Sequence, residues 1–158
     1  VIHGDVPDAL RQLADSSRGA VTAIHLLEHL PPATLFATLA EVRRVLEPGG
    51  LLVLESPNPH CLRVGASLYW RDPTHQHPLL PETLELYLNA AGFAVESVEL
   101  LHPFPEEQRL AFGAHQGTDS DPAVAAQVRR LEQRLDALLN GPRDFAIFAR
   151  RPGLGEGT

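Results

Sequence analysis

An apolar run, an amphipathic helix and a second apolar run constrain the fold of this chain most. GAVTAIHLL, residues 19–27, is apolar on both faces, which is typical of a strand inside a parallel sheet. PPATLFATLAEVRRVLEPGG, residues 31–50, begins with prolines, places Leu35 and Leu39 on one face and ends at glycines, as an amphipathic helix does. LLVLESP, residues 51–57, is the second predicted strand. Strand, helix and strand form a βαβ unit.

The same alternation continues to the end of the chain. LPETLELYLNAAGF predicts a helix that ends at Gly92, with Leu84, Leu88 and Ala91 inward, and AVESVELL predicts the next strand. DPAVAAQVRRLEQRLDALLNG predicts a helix that packs on its own domain, and DFAIFARR predicts a last strand. The fold class is therefore α/β, with a Rossmann-like, doubly wound sheet whose ligands bind at the carboxyl ends of the strands.

Composition limits the classes of protein that remain. The 158 residues, 44% of them hydrophobic, are enough for one domain with its own core. A net charge of -7 gives no general attraction to nucleic acid or to anionic membranes. No apolar run approaches the roughly 18 residues of a membrane span, so we expect a cytoplasmic protein. The chain contains no methionine, so we expect a further segment before Val1.

Several motifs resemble, in order, those of class I S-adenosylmethionine-dependent methyltransferases. VIHGD resembles the third strand of that family, AIHLLEHLPP the fourth, EVRRVLEPGGLLVLESPNP the helix and turn into the fifth, and LNAAGF the helix before the sixth. The segments from ESPNP to LNAAGF and the late LNGPRDFAIFAR are similar to bacterial methyltransferase domains associated with surface-polysaccharide glycosyltransferases. This resemblance implies an antiparallel last strand and O-methylation of a glycan or glycan-phosphate hydroxyl.

The chain departs from that family at its beginning. No glycine-rich loop and no acidic end of a second strand precede VIHGD, although the family uses them to hold the methionine and ribose of the cofactor. We therefore expect residues 1–151 to be a partial domain containing strands three to seven, residues 152–158 to be a disordered tail, and the chain alone to bind the cofactor weakly. The alternative is a non-catalytic remnant or interaction domain, stabilised by self-association as a homodimer.

The resemblance also implies residues for the cofactor S-adenosylmethionine. Asp5 matches the acidic residue that accepts a hydrogen bond from the adenine amino group, and Val6 would flank the adenine ring. His25 and Leu26 match the end of the fourth strand, whose backbone passes the sulfonium. Methyl transfer then requires alignment and a base for the acceptor hydroxyl.

Candidates for that base occur at two places that the fold brings to one edge. His29 lies at the end of the fourth strand, and the loop WRDPTHQHPLLPE after the fifth contributes Asp72, His75 and His77. One hypothesis makes one of these histidines a general base. A second makes Glu28, His29 and His75 or His77 the ligands of a divalent metal, an arrangement similar to that of small-RNA 2'-O-methyltransferases. A third leaves the loop structural.

Overall fold

Strands and helices alternate in the computed structural model, which describes residues 2–109 and 121–153. In chain order the elements of these residues are α1 (Val6–Arg11), β1 (Arg18–Ile24), α2 (Pro32–Val45), β2 (Leu46–Pro57), α3 (Pro81–Ala90), β3 (Ala94–Leu101), α4 (Pro122–Leu139) and β4 (Asp144–Arg150). None of these helices is long and apolar enough to span a membrane.

The four described strands form one sheet in the order β1-β2-β4-β3. β1 and β2 run parallel, and β4 runs antiparallel to both β2 and β3. The predicted α/β class with an antiparallel last strand is therefore confirmed. The carboxyl ends of β1, β2 and β3 lie at the same edge of the sheet as the first residue of β4.

The core lies between the sheet and the helices α2 and α3. Leu35 and Leu39 of α2 and Leu84 and Leu88 of α3 are all buried, as their helical spacing predicts. Each buried leucine contributes about 1.5–3 kcal/mol of transfer free energy relative to an exposed one. At the end of α3, Gly92 adopts a φ of +83°, a left-handed conformation that ends the helix.

Two strand boundaries differ from the predicted ones. β1 ends at Ile24 rather than residue 27, because His25 has a left-handed φ of 48° that turns the chain out of the sheet. β2 begins at Leu46 rather than residue 51, and its register to β1 is irregular beside Arg18. Gly49, at φ +79°, allows the chain to bulge there and then resume pairing.

The start of the chain forms no described strand before α1. Ile2–Asp5, which resemble the end of a third strand, are exposed and unpaired. A strand needs a neighbour, and β1 is the outer strand of the described sheet. The predicted disordered tail falls largely on residues 154–158, and like residue 1 these lie outside the described residues.

The prediction that α4 packs on its own domain is wrong for its apolar face. None of the residues of α4 is buried, and Val124, Leu131, Leu135 and Leu138 are 44–57% exposed. Periodicity identified the helix correctly. It carries no information about which surface, if any, covers the apolar face.

Candidate functional site

A cavity of about 390 Å³ opens where the strands end. It lies at the edge that the fold rule for open α/β sheets assigns to ligands. Its walls combine imidazole, carboxylate, guanidinium and aromatic groups with aliphatic side chains. The lining residues are His25, Pro57, Val64, Leu68, Tyr69, His75, His102, Arg143 and Asp144.

Two histidines and two carboxylates meet at this edge and form what we call the strand-end cluster: His25, Glu55, His102 and Asp144. His25 Nε2 lies 3.6 Å from Glu55 Oε1 and 3.7 Å from Asp144 Oδ1. His102 Nδ1 lies 2.8 Å from Asp144 Oδ2. Each of the four residues lies by a different strand at this edge. His25 and His102 directly follow β1 and β3, Glu55 lies near the end of β2, and Asp144 begins β4.

Behind this cluster lies a buried polar cluster, composed of Glu28, Ser56 and Tyr69. Glu28 is fully buried, and its two carboxylate oxygens are used differently. Oε1 lies 3.1 Å from His25 Nδ1, and Oε2 accepts a hydrogen bond of 3.1 Å from the Ser56 hydroxyl. A buried carboxylate needs such partners, because an unpaired one would lose its hydration without compensation.

The Tyr69 hydroxyl is buried and has no hydrogen-bond partner among the described residues. Burial raises the pKa of Tyr69 to about 12, and the negative charge of Glu28 adds to this effect. The backbone of His77 lies nearby and offsets part of this rise in pKa. It does not, however, meet the geometry of a hydrogen bond to the Tyr69 hydroxyl. Tyr69 therefore packs in the core as a neutral phenol, whereas its neighbour Trp70 is 57% exposed.

The predicted convergence of the two histidine segments is present. The Gln76 N–H donates a 2.7 Å hydrogen bond to the Glu28 carbonyl, which fixes the loop against the end of β1. The rings of His29 and His75 lie 4.6 Å apart, and the ring of Tyr69 lies 4.3 Å from that of His75. Glu28, His29 and His75 offer ligand atoms that lie within 4.8 Å of one another.

Among the loop residues, His75 lines the cavity. Its Nδ1 lies 2.6 Å from the Tyr69 carbonyl oxygen. A carbonyl can only accept, so this hydrogen bond places the proton on Nδ1 and leaves a lone pair on Nε2. In its neutral form, His75 is therefore held in the tautomer that can accept a proton at Nε2.

His29 is oriented by two polar residues of the loop, Asp72 and Thr74, and we call these three residues, together with Glu28 and His75, the loop cluster. The Thr74 hydroxyl donates to Asp72 Oδ1 over 2.6 Å, and His29 Nδ1 lies 2.8 Å from the same hydroxyl. The side-chain and backbone hydrogen bonds from Thr74 lower the pKa of Asp72 below its usual range. Asp72 thus holds Thr74 and, through it, His29. His77 is half-buried and lies outside the cavity lining.

The residues that the resemblance assigns to the cofactor are spread over two segments. Asp5 precedes α1, is exposed, and caps no backbone N–H of that helix with its side chain; Val6 is the first residue of α1. The His25 N–H donates to the Glu55 carbonyl, and the Leu26 carbonyl accepts from the His29 N–H. Their assignment to the cofactor stays a prediction.

Sequence reasoning missed Ser56, Thr74, His102 and Asp144 as site residues. For His102 and Asp144 a signal was available. His102 directly follows a predicted strand, and Asp144 is the first residue of the predicted antiparallel strand. An antiparallel strand begins at the edge where parallel strands end, so both residues belong at the ligand-binding edge. Ser56 and Thr74 become visible only through their contacts.

Comparison with known proteins gives a consistent picture. Residues 5–98 match the family model described as a methyltransferase domain. A solved S-adenosylmethionine-dependent methyltransferase from Archaeoglobus fulgidus is 32% identical, with a TM-score of 0.82 over 95% of this chain and 66% of that protein. No curated protein sequence matches the chain.

Two more distant structures share the fold. An S-adenosylmethionine-dependent methyltransferase from Mesorhizobium loti is 18% identical, with a TM-score of 0.54 over 88% of this chain and 64% of that one. Phosphoethanolamine N-methyltransferase 2 of Haemonchus contortus, solved in complex with S-adenosyl-L-methionine, is 16% identical, with a TM-score of 0.55 over 90% and 35%. The chain thus spans about two thirds or less of the length of these three proteins.

Proposed function

This chain belongs to the methyltransferase domain family, and on that premise we propose that it forms the acceptor-binding part of an S-adenosylmethionine-dependent O-methyltransferase. The observation that carries the proposal is the imidazole of His75. It lines the cavity, and its Nδ1 is held 2.6 Å from the Tyr69 carbonyl. A neutral histidine fixed in this way is suited to act as a general base.

The cofactor S-adenosylmethionine, when bound, supplies a methyl group activated by its sulfonium. Asp5 and Val6 would hold the adenine, and the turn at His25 and Leu26 would border the sulfonium. The free side chain of Asp5 fits this role, since it makes no capping hydrogen bond to α1. Contacts to the ribose and methionine would come from a glycine-rich loop on a further segment.

His75 provides the proton transfer that the reaction needs. With the cofactor bound, His75 Nε2 would accept the proton of the acceptor hydroxyl as the oxygen bonds to the methyl carbon and the bond from that carbon to the sulfonium sulfur breaks, which leaves the neutral thioether of the cofactor. The Tyr69 carbonyl stabilises the imidazolium that results, because it keeps its hydrogen bond from Nδ1. Removing such a base typically slows the chemical step about 100-fold to 10,000-fold.

We propose a glycan or glycan-phosphate as the acceptor. The cavity volume is within the roughly 300–1,000 Å³ of small-molecule sites. Its histidine and aspartate side chains could hydrogen-bond the hydroxyl groups of a sugar, and Arg143 could pair with a phosphate. The resemblance to domains associated with surface-polysaccharide glycosyltransferases supports the same class of acceptor.

A metal on Glu28, His29 and His75 is the second hypothesis for this loop. Although their ligand atoms are close together, both Glu28 oxygens already have partners in His25 and Ser56. A metal would have to displace those contacts. We therefore favour metal-free proton transfer by His75.

The test is methyl transfer from radiolabelled S-adenosylmethionine to a panel of sugars and sugar phosphates. The enzyme is the longest natural polypeptide that contains this chain. His75→Ala should lower kcat about 100-fold or more with an unchanged melting temperature. His60→Ala is the matched control, because His60 is an exposed histidine paired with Glu82 and should keep full turnover.

Two results separate the remaining hypotheses. If turnover is lost to a chelator and regained with magnesium, manganese or zinc, the reaction uses a metal and the metal-free transfer proposed for His75 is wrong. If His75→Ala keeps full turnover, or loses it only through unfolding, the base assignment is wrong.

A further inference from the structure

The strand-end cluster contains three acceptor atoms that face one another. His25 Nδ1 lies 3.1 Å from Glu28 Oε1, and a carboxylate can only accept, so this nitrogen carries the proton. In the neutral tautomer the lone pair of His25 is then on Nε2. That atom faces Glu55 Oε1 at 3.6 Å and Asp144 Oδ1 at 3.7 Å.

Positive charge between these three atoms, either a proton on His25 Nε2 or a metal ion, would stabilise the two carboxylates. Two carboxylate oxygens and a nitrogen lone pair repel one another, and Glu55 and Asp144 are each only about one-sixth exposed, so water screens them weakly. The distances exceed those of an N–H···O hydrogen bond, which is about 2.7–3.2 Å. Adjacent ligands of a tetrahedral metal with bonds of about 2.0–2.2 Å lie roughly 3.3–3.5 Å apart, close to the spacing seen here.

We propose that His25 Nε2, Glu55 and Asp144 bind one divalent transition-metal ion beside the cavity. The three ligand atoms lie within 4.8 Å of one another. One imidazole and two carboxylates suit zinc or manganese, and three protein ligands leave a position open toward the cavity. The site does not depend on the methyl transfer proposed above.

Two of these ligands are also held in place by the side chain of a neighbour. Glu28 fixes the His25 ring, and His102 Nδ1, 2.8 Å from Asp144 Oδ2, leaves Oδ1 turned toward His25. Glu55 is part of β2, and its carbonyl accepts the His25 N–H. Such orienting contacts are typical of metal ligands in proteins.

The backbone at both histidines is consistent with a built site. His25 and His102 have φ of 48° and 54°, in the left-handed region that residues with a side chain rarely adopt. This strain places each imidazole directly beyond its strand, next to Glu55 and Asp144. Strained residues of this kind concentrate at functional sites.

The experiment is calorimetric titration of zinc sulfate into the longest natural polypeptide that contains this chain, with no substrate present. We expect one zinc ion per chain. Glu55→Gln and Asp144→Asn should each weaken binding at least 10-fold, and His102→Ala about 10-fold to 100-fold, as expected for an orienting neighbour. Cobalt, titrated in the same way, should show visible absorption bands that disappear in Asp144→Asn.

Two control variants locate the ion. Glu82→Gln removes an exposed carboxylate paired with His60 and should bind zinc normally. His29→Ala removes a ligand from the loop cluster and should also bind normally. Circular dichroism without metal shows whether each variant is folded, and the three amide variants keep the shape of the residues they replace.

The proposal fails if zinc does not bind at one per chain, or if the folded Glu55→Gln and Asp144→Asn variants bind it as tightly as the natural chain. It also fails if His29→Ala abolishes binding, since the ion would then sit at the loop cluster. Because binding is read without turnover, loss of this proposal leaves the methyltransferase assignment intact, and the reverse also holds.

Discussion

The buried polar cluster and helix α4 depart from the usual distribution of side chains in opposite ways. The cluster buries polar side chains, whereas α4 exposes apolar ones. Glu28, Ser56 and Tyr69 are polar and at most 1% exposed, next to the cavity. Leu131 and Leu135 of α4 are apolar and 57% and 44% exposed. Buried polar groups and exposed apolar patches are the informative departures from the general rule that apolar residues lie inside.

The difference between the two regions lies in what stabilises each. The carboxylate of Glu28 has hydrogen-bond partners within the chain, His25 and Ser56, whereas the Tyr69 hydroxyl of the same cluster has none among the described residues. The apolar face of α4 is not covered by the described residues. Polar groups that are buried and hydrogen-bonded within the chain indicate a functional site, whereas an exposed apolar face indicates a surface that binds another molecule.

A large stability effect is expected from Glu28→Ala. The substitution leaves the buried Ser56 hydroxyl without its acceptor, which costs about 1–3 kcal/mol, and it removes the contact to the partly exposed His25 Nδ1. The free energy of unfolding, measured with urea, should fall by about 2 kcal/mol or more. Ser56→Ala removes one donor only and should cost less. A smaller loss for Glu28→Ala than for Ser56→Ala would contradict the role of this cluster.

The second prediction uses the pKa of Tyr69, which is raised to about 12 in the folded chain. The unfolded chain loses this proton near pH 10, while the folded chain still binds it, so stability is present below pH 10 and lost as pH rises toward 12. The expected loss is about 2–3 kcal/mol, from urea unfolding at several pH values. Tyr69→Phe should remove that part of the pH dependence. An identical alkaline slope in this variant would show that Tyr69 is not the cause.

The third prediction concerns association through the uncovered surfaces. We expect a homodimer in light scattering, because both α4 and the outer strand β1 are open in the described part of the chain. Replacing Leu131 and Leu135 by Glu should weaken the dimer at least 10-fold if α4 forms the interface. Thr22→Lys, on exposed β1, is the matching test of the strand edge. A natural chain that is monomeric at all concentrations would refute the prediction.

The smallest effect is expected from Leu135→Ala studied at concentrations where the chain is monomeric. An exposed side chain loses little on truncation, so the free energy of unfolding should change by about 0.5 kcal/mol or less. Leu84→Ala, a buried leucine of α3, should cost about 2–5 kcal/mol in the same assay. Equal costs at the two positions would show that α4 is covered by its own chain.

Local patterns were sufficient for much of the fold. The period of the apolar residues identified β1, α2, β2, α3, β3, α4 and β4, and prolines and glycines identified most of their ends. The end of β1 was not predictable in this way, since His25 adopts a left-handed conformation that its residue type does not require. The start of β2 was missed because Gly49 permits a bulge as readily as a turn.

For the site, the sequence predicted that His29 and His75 lie at the same edge of the sheet, since parallel strands end together. It could not distinguish their roles, because these depend on the contacts of single nitrogen atoms with Thr74 and with the Tyr69 carbonyl. It also placed Asp72 among the catalytic candidates, whereas the contacts of Asp72 make it a support for Thr74.

The sequence by itself determined most elements of this protein after α1, their order and the edge where ligands bind, because these depend on periodicity and strand direction. Only the tertiary structure decided that Glu28 is buried between His25 and Ser56, that His102 and Asp144 join His25 and Glu55, and that the described residues leave the apolar face of α4 uncovered. Burial, hydrogen-bond partners and charge neighbours arise between residues far apart in the chain, and no local pattern of residues encodes them.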